Sequence, residues 1–233
     1  MPSLARLPKA ILFDMDGLML DTEPLAVRAW DEAAQALGVT FDGALARRMI
    51  GRNFPDCTAL LRAESPAGYP VEEVLARWHD AYDAIVMRDG LALKAGVFLL
   101  LDQLDAYGIP RAVATSTRRV RAEAKLRQTS LLPRFAAVVG GDEVTRGKPA
   151  PDIYFEAARR LGVTASACLV LEDSDAGVRG ALAAGMTPIM VPDLLPPAAD
   201  LLAQGVIVHA SLTDVAACLA QLAAAGTAAS AVR

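Results

Sequence analysis

Several short apolar runs of this sequence end in acidic or hydroxyl side chains, which are residue types that bind metal ions and phosphate. Asp14 and Asp16 directly follow the apolar run at residues 10–13. Burying a charge beside a core strand costs free energy, so such a charge is usually paired or serves a function. Two later apolar runs also end in polar side chains, the first in Thr115 and Ser116 and the second in Glu172 and Asp173. A further candidate, Lys148, lies between a glycine and a proline.

Ligands of an open parallel sheet bind beside the carboxyl ends of its strands. If each run is a strand, the acids, the hydroxyls and Lys148 meet at one edge of one sheet. Acidic clusters that offer only oxygen ligands suit a hard cation such as Mg²⁺. A lysine and a hydroxyl opposite the acids would neutralise and orient a phosphoryl group. The residue types therefore indicate phosphoryl chemistry.

The elements that must position these residues alternate between strand and helix, which is typical of a parallel α/β sheet. The predicted strands are residues 10–13, 111–114, 136–139, 167–171, 187–191 and 206–208. Helical periodicity predicts helices at residues 120–128, 153–161 and 176–184. We therefore predict a doubly wound, Rossmann-like parallel sheet.

The interval between the first two predicted strands, residues 14–110, is far longer than an ordinary crossover. Apolar residues recur in it with helical spacing, as at Trp30 and Leu37. We predict a helical domain at residues 19–89, inserted into an α/β core formed by residues 1–18 and 90–233. Asp21 or Thr22 is predicted to cap the first helix of the insert, with Pro24 in its first turn.

Composition excludes several classes of protein. The chain has 233 residues, of which 54% are hydrophobic, and its net charge of -4 offers no basic surface for nucleic acid. Its apolar runs are too short for a signal peptide or a membrane span, so we expect no membrane association. The three cysteines are far apart, which predicts free thiols in the cytoplasm. No exposed apolar stripe is evident, and we expect a monomer.

The candidate residues fall into four ordered motifs that resemble those of the haloacid dehalogenase superfamily. The motifs are DMDG at residues 14–17, Thr115 after an apolar strand, GKPAPD at residues 147–152, and EDS at residues 172–174 followed by Gly177. The helical insert resembles the cap of the β-phosphoglucomutase-like branch. The likeness covers residues 9–191, nearly the whole chain.

This resemblance implies a Mg²⁺-dependent phosphatase for a small phosphorylated metabolite, with a sugar or polyol phosphate as the expected substrate. Asp14 would attack phosphorus to form an aspartyl-phosphate. Asp16 would protonate the leaving alcohol and later deprotonate the attacking water. Thr115, the backbone N–H of Ser116 and Lys148 would bind the phosphoryl oxygens.

The resemblance also implies a metal site and a specificity region. Asp14, Asp173 and the backbone carbonyl of Asp16 would ligate Mg²⁺, while Glu172 either ligates the ion or holds the site in place. Substrate choice is expected in the cap. The cap candidates are Glu23, Arg52, Asn53, His79 and Arg88. Gly180 departs from the family's Ala-Ala pair and is expected to weaken its helix.

Three other activities compete with this interpretation. A β-phosphoglucomutase-type mutase shares all four motifs, but carries a hinge histidine where this chain has Glu23-Pro24-Leu25. A true 2-haloacid dehalogenase needs neither a metal nor a second acid, so Asp16 and the Glu172-Asp173 pair argue against it. A phosphorylated receiver domain is much shorter and lacks the helical insert.

Overall fold

The structure is a computed structural model that describes residue 4, residues 6–49 and residues 54–231. It divides into two compact units, Met1–Leu20 with Leu93–Arg233, and Asp21–Ala92. The borders lie at 20/21 and 92/93, where the sequence predicts 18/19 and 89/90. Leu20 belongs to the first unit because it forms an antiparallel bridge with Leu93 and is fully buried.

Six parallel strands form the sheet of the first unit, within the residues that the structure describes. They are β1 Ala10–Phe13, β2 Arg111–Ala114, β3 Ala137–Val139, β4 Cys168–Glu172, β5 Thr187–Met190 and β6 Ile207–Val208. Their spatial order is β3-β2-β1-β4-β5-β6, which confirms the predicted doubly wound sheet. The order reverses between β1 and β4, so a ligand crevice is expected at their carboxyl ends.

The helices of the described residues are, in chain order, α1 Glu23–Gln35, α2 Gly43–Met49, α3 Phe54–Glu64, α4 Val71–Asp89, α5 Val97–Ala106, α6 Arg119–Gln128, α7 Asp152–Leu161, α8 Asp175–Ala183, α9 Ala199–Ala203 and α10 Leu212–Ala231. The first four form the second unit, and the other six belong to the first. None of the helices described is both long and apolar enough to span a bilayer.

The core of the first unit follows from the alternation of side chains along its strands. Leu12 of β1 and Ala114 of β2 lie on one face of the sheet, where they pack against Ile153 and Tyr154 of α7. Successive strand side chains point to opposite faces, so a strand buried on both sides must be apolar throughout. All residues of β1, β2 and β4 are buried, and all are apolar except Arg111 at the start of β2 and Glu172 at the end of β4.

The second unit is a helical bundle with an aromatic core. The Trp30 ring on α1 stacks on Phe41 and Phe54, with ring centroids 5.6 and 6.0 Å apart. Leu61 and Val74 are fully buried in the same cluster. Helical spacing of apolar residues produces this core because it places them on one face of each helix.

The start of α1 differs from the prediction. Pro24 lies in the first turn as predicted, and Thr22 occupies the N-cap position, but its side chain makes no capping hydrogen bond. Its backbone is helical, with φ −96° and ψ −21°. A capping side chain usually requires an extended backbone, which directs its oxygen toward the free N–H groups. The predicted side-chain cap is therefore wrong for Thr22.

Candidate active site

Asp14 lies immediately beyond β1, at the point where the strand order reverses. Its backbone N–H donates to the Leu171 carbonyl of β4 at 3.0 Å. The chain then turns, since the Met15 carbonyl accepts from the Leu20 N–H at 3.0 Å. This turn begins between the two acids, so strand alternation does not force Asp14 and Asp16 onto one face.

Lys148 bridges two carboxylates at this edge of the sheet. Its Nζ lies 2.5 Å from Asp14 Oδ1 and 2.5 Å from Glu172 Oε1. Only 5% of its side chain is exposed, so it is not a solvated loop lysine. Burial alone would lower the pKa of Lys148, but Asp14 and Glu172 raise that pKa well above its ordinary value. The ammonium group therefore stays charged.

Glu172 is held on both carboxylate oxygens. The Tyr154 hydroxyl donates to Oε1 at 2.8 Å, while the backbone N–H and hydroxyl of Ser174 donate to Oε2 at 3.1 and 3.0 Å. A Cβ at Gly177 would lie 1.9 Å from Glu172 Cδ, so only glycine fits there. Glu172, fully buried, thus presents a fixed oxygen to Lys148.

Asp16 is held by Thr117, which the second strand end presents, and by Lys125, which the sequence did not indicate. Thr117 Oγ1 donates to Asp16 Oδ2 at 2.6 Å, and Lys125 Nζ donates to Oδ1 at 2.7 Å. Thr117 follows the candidates Thr115 and Ser116 in the polar segment after β2. Lys125 lies on α6, 109 positions from Asp16 in the chain. No local pattern marks such a contact.

The predicted hydroxyl residues lie at the same sheet edge. Phe13 of β1 pairs in register with Val113 of β2, so the residues after both strands are neighbours. Thr115 is buried, and its Oγ1 accepts from the Thr117 N–H at 3.1 Å. Ser116 follows it and is exposed. The structure therefore brings the hydroxyls to the edge that carries Asp14.

The acids at this edge form a cluster that suits a cation. Ligand oxygens of Asp14, Glu172 and Asp173 lie within 4.8 Å of one another, and all three residues are buried. Burial raises the pKa of Asp14 to about 7, and Glu172 adds to the rise while Lys148 opposes it. Oxygen ligands in this arrangement fit a hard divalent cation.

The cap candidates lie in the second unit or outside the described residues. Glu23 is the half-buried first residue of α1. Arg88 donates to Glu32 at 3.0 Å and to Asp89 at 3.1 Å. The His79 ring packs on another aromatic ring of the bundle, with centroids 4.6 Å apart. Arg52 and Asn53 lie outside the described residues.

Gly180 has a different role from the one expected. Helix α8 runs intact through Ala183, with Gly180 buried inside it. A Cβ at this position would come within 3.0 Å of Tyr154 Cε2 and 3.2 Å of the Ala150 carbonyl oxygen. The glycine therefore lets α8 pack closely against Tyr154, the residue that donates to Glu172.

Comparison with known proteins shows the family. The family model for haloacid dehalogenase-like hydrolase matches residues 8–185. The chain is 33% identical over 193 residues to protein CbbY of Rhodobacter capsulatus, covering 79% of this chain and 85% of that protein. It is 34% identical over 181 residues to the phosphorylated carbohydrates phosphatase of Thermotoga maritima, covering 78% of this chain and 83% of that protein.

A solved structure shows the same relationship in three dimensions. The crystal structure of CbbY from Rhodobacter sphaeroides in complex with phosphate superposes with a TM-score of 0.76 at 30% sequence identity. The match covers 90% of this chain and 96% of the other. The chain therefore belongs to the haloacid dehalogenase-like hydrolases and is an enzyme of the phosphoric monoester hydrolase type.

Proposed function

We propose that the protein is a Mg²⁺-dependent phosphatase that hydrolyses a small sugar or polyol phosphate through an aspartyl-phosphate on Asp14. The observation that carries the proposal is the buried Lys148, which joins Asp14 to Glu172 beside Asp173. A buried lysine beside a carboxylate cluster is suited to binding a phosphoryl group. The named carbohydrate-phosphate relative supports the substrate class.

In the first step, a carboxylate oxygen of Asp14 attacks phosphorus. The bond between phosphorus and the substrate's alkoxy oxygen breaks, and Asp16 gives its proton to that oxygen. Thr117 and Lys125 bond both oxygens of Asp16 and so fix its position. The products of this step are the free alcohol and phosphorylated Asp14.

In the second step, Asp16 takes a proton from water while the water oxygen attacks phosphorus. The bond between phosphorus and Asp14 breaks, which releases inorganic phosphate and restores both carboxyl groups. Lys148, Thr115 and the Ser116 N–H bind the phosphoryl oxygens in both steps, where their positive charge and donors stabilise the developing negative charge.

Asp14, Asp173 and the backbone carbonyl of Asp16 would hold Mg²⁺. When bound, the ion would reduce the repulsion between the carboxylate nucleophile and the phosphate. Glu172 lies in the same cluster, but it already accepts hydrogen bonds from Lys148, Tyr154 and Ser174. This bonding favours a role for Glu172 in holding Lys148.

The helical unit is proposed to select the substrate, with Glu23 and Arg52 as the specificity residues. We also propose that the enzyme acts as a monomer in the cytoplasm. The free thiols of Cys57, Cys168 and Cys218 support the location, since reducing compartments keep thiols unpaired.

Phosphate release from a panel of sugar, polyol and glycolate phosphates tests the proposed activity. Assays with Mg²⁺ and with EDTA compare the wild type with Asp14→Asn and Asp16→Asn. Asp102→Asn is the matched control, because Asp102 is an exposed acid that pairs with Arg134. We expect metal-dependent turnover that both site variants lose and the control keeps.

Two results would overturn the assignment. Turnover that persists in Asp14→Asn would exclude an aspartyl-phosphate intermediate on Asp14. Conversion of β-glucose 1-phosphate to glucose 6-phosphate, without phosphate release from any compound, would identify a mutase instead.

A further inference from the structure

Asp193 has a buried carboxylate in which one oxygen accepts a hydrogen bond and the other has no partner among the described residues. It follows β5, and 6% of its side chain is exposed. Its Oδ1 accepts from Lys94 Nζ at 2.5 Å. Its Oδ2 is buried and has no hydrogen-bond partner among the described residues. A buried carboxylate oxygen without a partner is costly, so a partner outside the protein is expected.

The oxygen without a partner lies near Asp173, one of the acids of the candidate metal site. Gly17 has φ +84°, and a Cβ built on it would lie 3.4 Å from Asp193 Oδ2 and 2.2 Å from Asp173 Oδ2. Both oxygens therefore border the same small volume, directly after Asp16. The missing side chain at Gly17 leaves that volume to the two carboxylates.

Two carboxylates that share one volume repel each other unless a positive charge lies between or beside them. Lys94 binds Asp193 through the other oxygen, Oδ1. Asp173 belongs to the acidic cluster with Asp14 and Glu172. Mg²⁺ in proteins usually keeps several of its waters, and those waters need acceptors.

We propose that Asp193 Oδ2 accepts a hydrogen bond from a water in the hydration shell of the cation that Asp173 ligates. Lys94 holds Asp193 in place for this contact. The inference rests on the proposed function, because it extends the same metal site. Asp193 is a positioning residue, since it touches neither the substrate nor the reacting atoms.

Acceptors of this kind strengthen metal binding by about 10- to 100-fold. We expect the lower end for a contact made through water, about tenfold. The substitution Asp193→Asn keeps the size of the side chain and removes the charge. It should therefore weaken Mg²⁺ binding about tenfold without loss of the fold.

Isothermal titration of Mg²⁺ into metal-free protein measures this effect directly, without an activity assay. The wild type is compared with Asp193→Asn, Asp173→Asn and Asp200→Asn. Asp200 is the charge-matched control, because it is an exposed acid that pairs with Arg179. We expect binding to be about tenfold weaker in Asp193→Asn, abolished in Asp173→Asn and unchanged in Asp200→Asn.

Equal Mg²⁺ affinity in the wild type and Asp193→Asn would overturn the inference, and would limit Asp193 to its pairing with Lys94. The proposed function would stand in that case, provided that Asp173→Asn loses binding. Absence of Mg²⁺ binding in the wild type would instead overturn the proposed metal dependence itself. Circular dichroism checks the fold, and if Asp193→Asn is unfolded, Asp193→Ser is titrated with the same expectation.

Discussion

Ion pairs at the sheet edge of the first unit and ion pairs in the helical unit lie in opposite environments. At the sheet edge of the first unit, Lys148 and Lys125 are only 5% and 14% exposed, and each donates to an acid. In the helical unit, Arg62 and Arg88 also pair with acids, but their side chains are 56% and 54% exposed. The same kind of pairing therefore occurs in two different dielectric settings.

This difference in exposure separates charges that can take part in chemistry from charges that are only solvated. An exposed pair is screened by water and salt and contributes little to stability. A buried charge has lost its hydration, so removal of its partner leaves an uncompensated charge and is strongly unfavourable. The burial of Lys148 and Lys125 with acids at one sheet edge is thus best explained by a role in binding or catalysis rather than by a contribution to stability.

Lys148→Met should produce the largest effect, because it removes the charge that joins Asp14 to Glu172. We expect the rate of phosphate release to fall about 10³-fold, the scale for loss of one donor to a developing oxyanion. Initial-rate kinetics at saturating Mg²⁺ measure this. Arg62→Met, in the helical unit, should stay within about twofold of the wild type. Similar losses in the rate of phosphate release in both variants would contradict the difference between the sheet edge and the helical unit.

The raised pKa of Asp14 predicts a pH-dependent stability in metal-free protein. The folded-state pKa is about 7, whereas an unfolded aspartate titrates near about 3.9. The folded state therefore binds more protons between these values, and the free energy of unfolding should fall as pH rises from about 4 to about 7. Urea denaturation across this range measures the slope. Asp14→Asn should flatten it, and an unchanged slope in that variant would assign the effect to other groups.

Lys125→Met tests whether a partly buried lysine acts by positioning Asp16. We expect kcat to fall about 10- to 100-fold with little change in KM, because Asp16 would lose a partner that fixes its position during proton transfer. Lys125→Arg should recover part of the loss, since it keeps the charge. Arg127→Met is the control on the same helix, because Arg127 is 63% exposed and pairs with Glu123. Equal effects of the Lys125 and Arg127 variants on kcat would contradict this role.

The Arg62–Glu72 pair of the helical unit should give the smallest effect. Both side chains are more than half exposed, so solvent screens their attraction. We expect Glu72→Gln to leave the thermal unfolding midpoint within the error of the measurement, at low and at high salt. A clear loss of stability that salt abolishes would show that the exposed pairs of this unit do contribute.

Local sequence patterns were sufficient for the sheet and for the motif residues. An apolar run that ends in Asp14 predicts both a buried strand and an acid at its end, because the side chains involved are neighbours in the chain. The same reasoning located Thr115 and Asp173. It made no prediction of α5, whose start at residues 97–101 is apolar without a break and carries no clear period. Periodicity alone does not separate helix from strand in such a run.

Tertiary structure decided which side chains complete the site. Lys125 meets Asp16, Tyr154 meets Glu172 and Lys94 meets Asp193 across long separations in the chain. Each contact depends on how a helix or loop packs against the sheet, and no spacing within one segment encodes that. The sequence by itself thus determined the fold class and the acids at the strand ends, through local hydrophobic periodicity. The folded chain alone decided which groups hold those acids, because hydrogen bonds and burial depend on distances in space rather than along the chain.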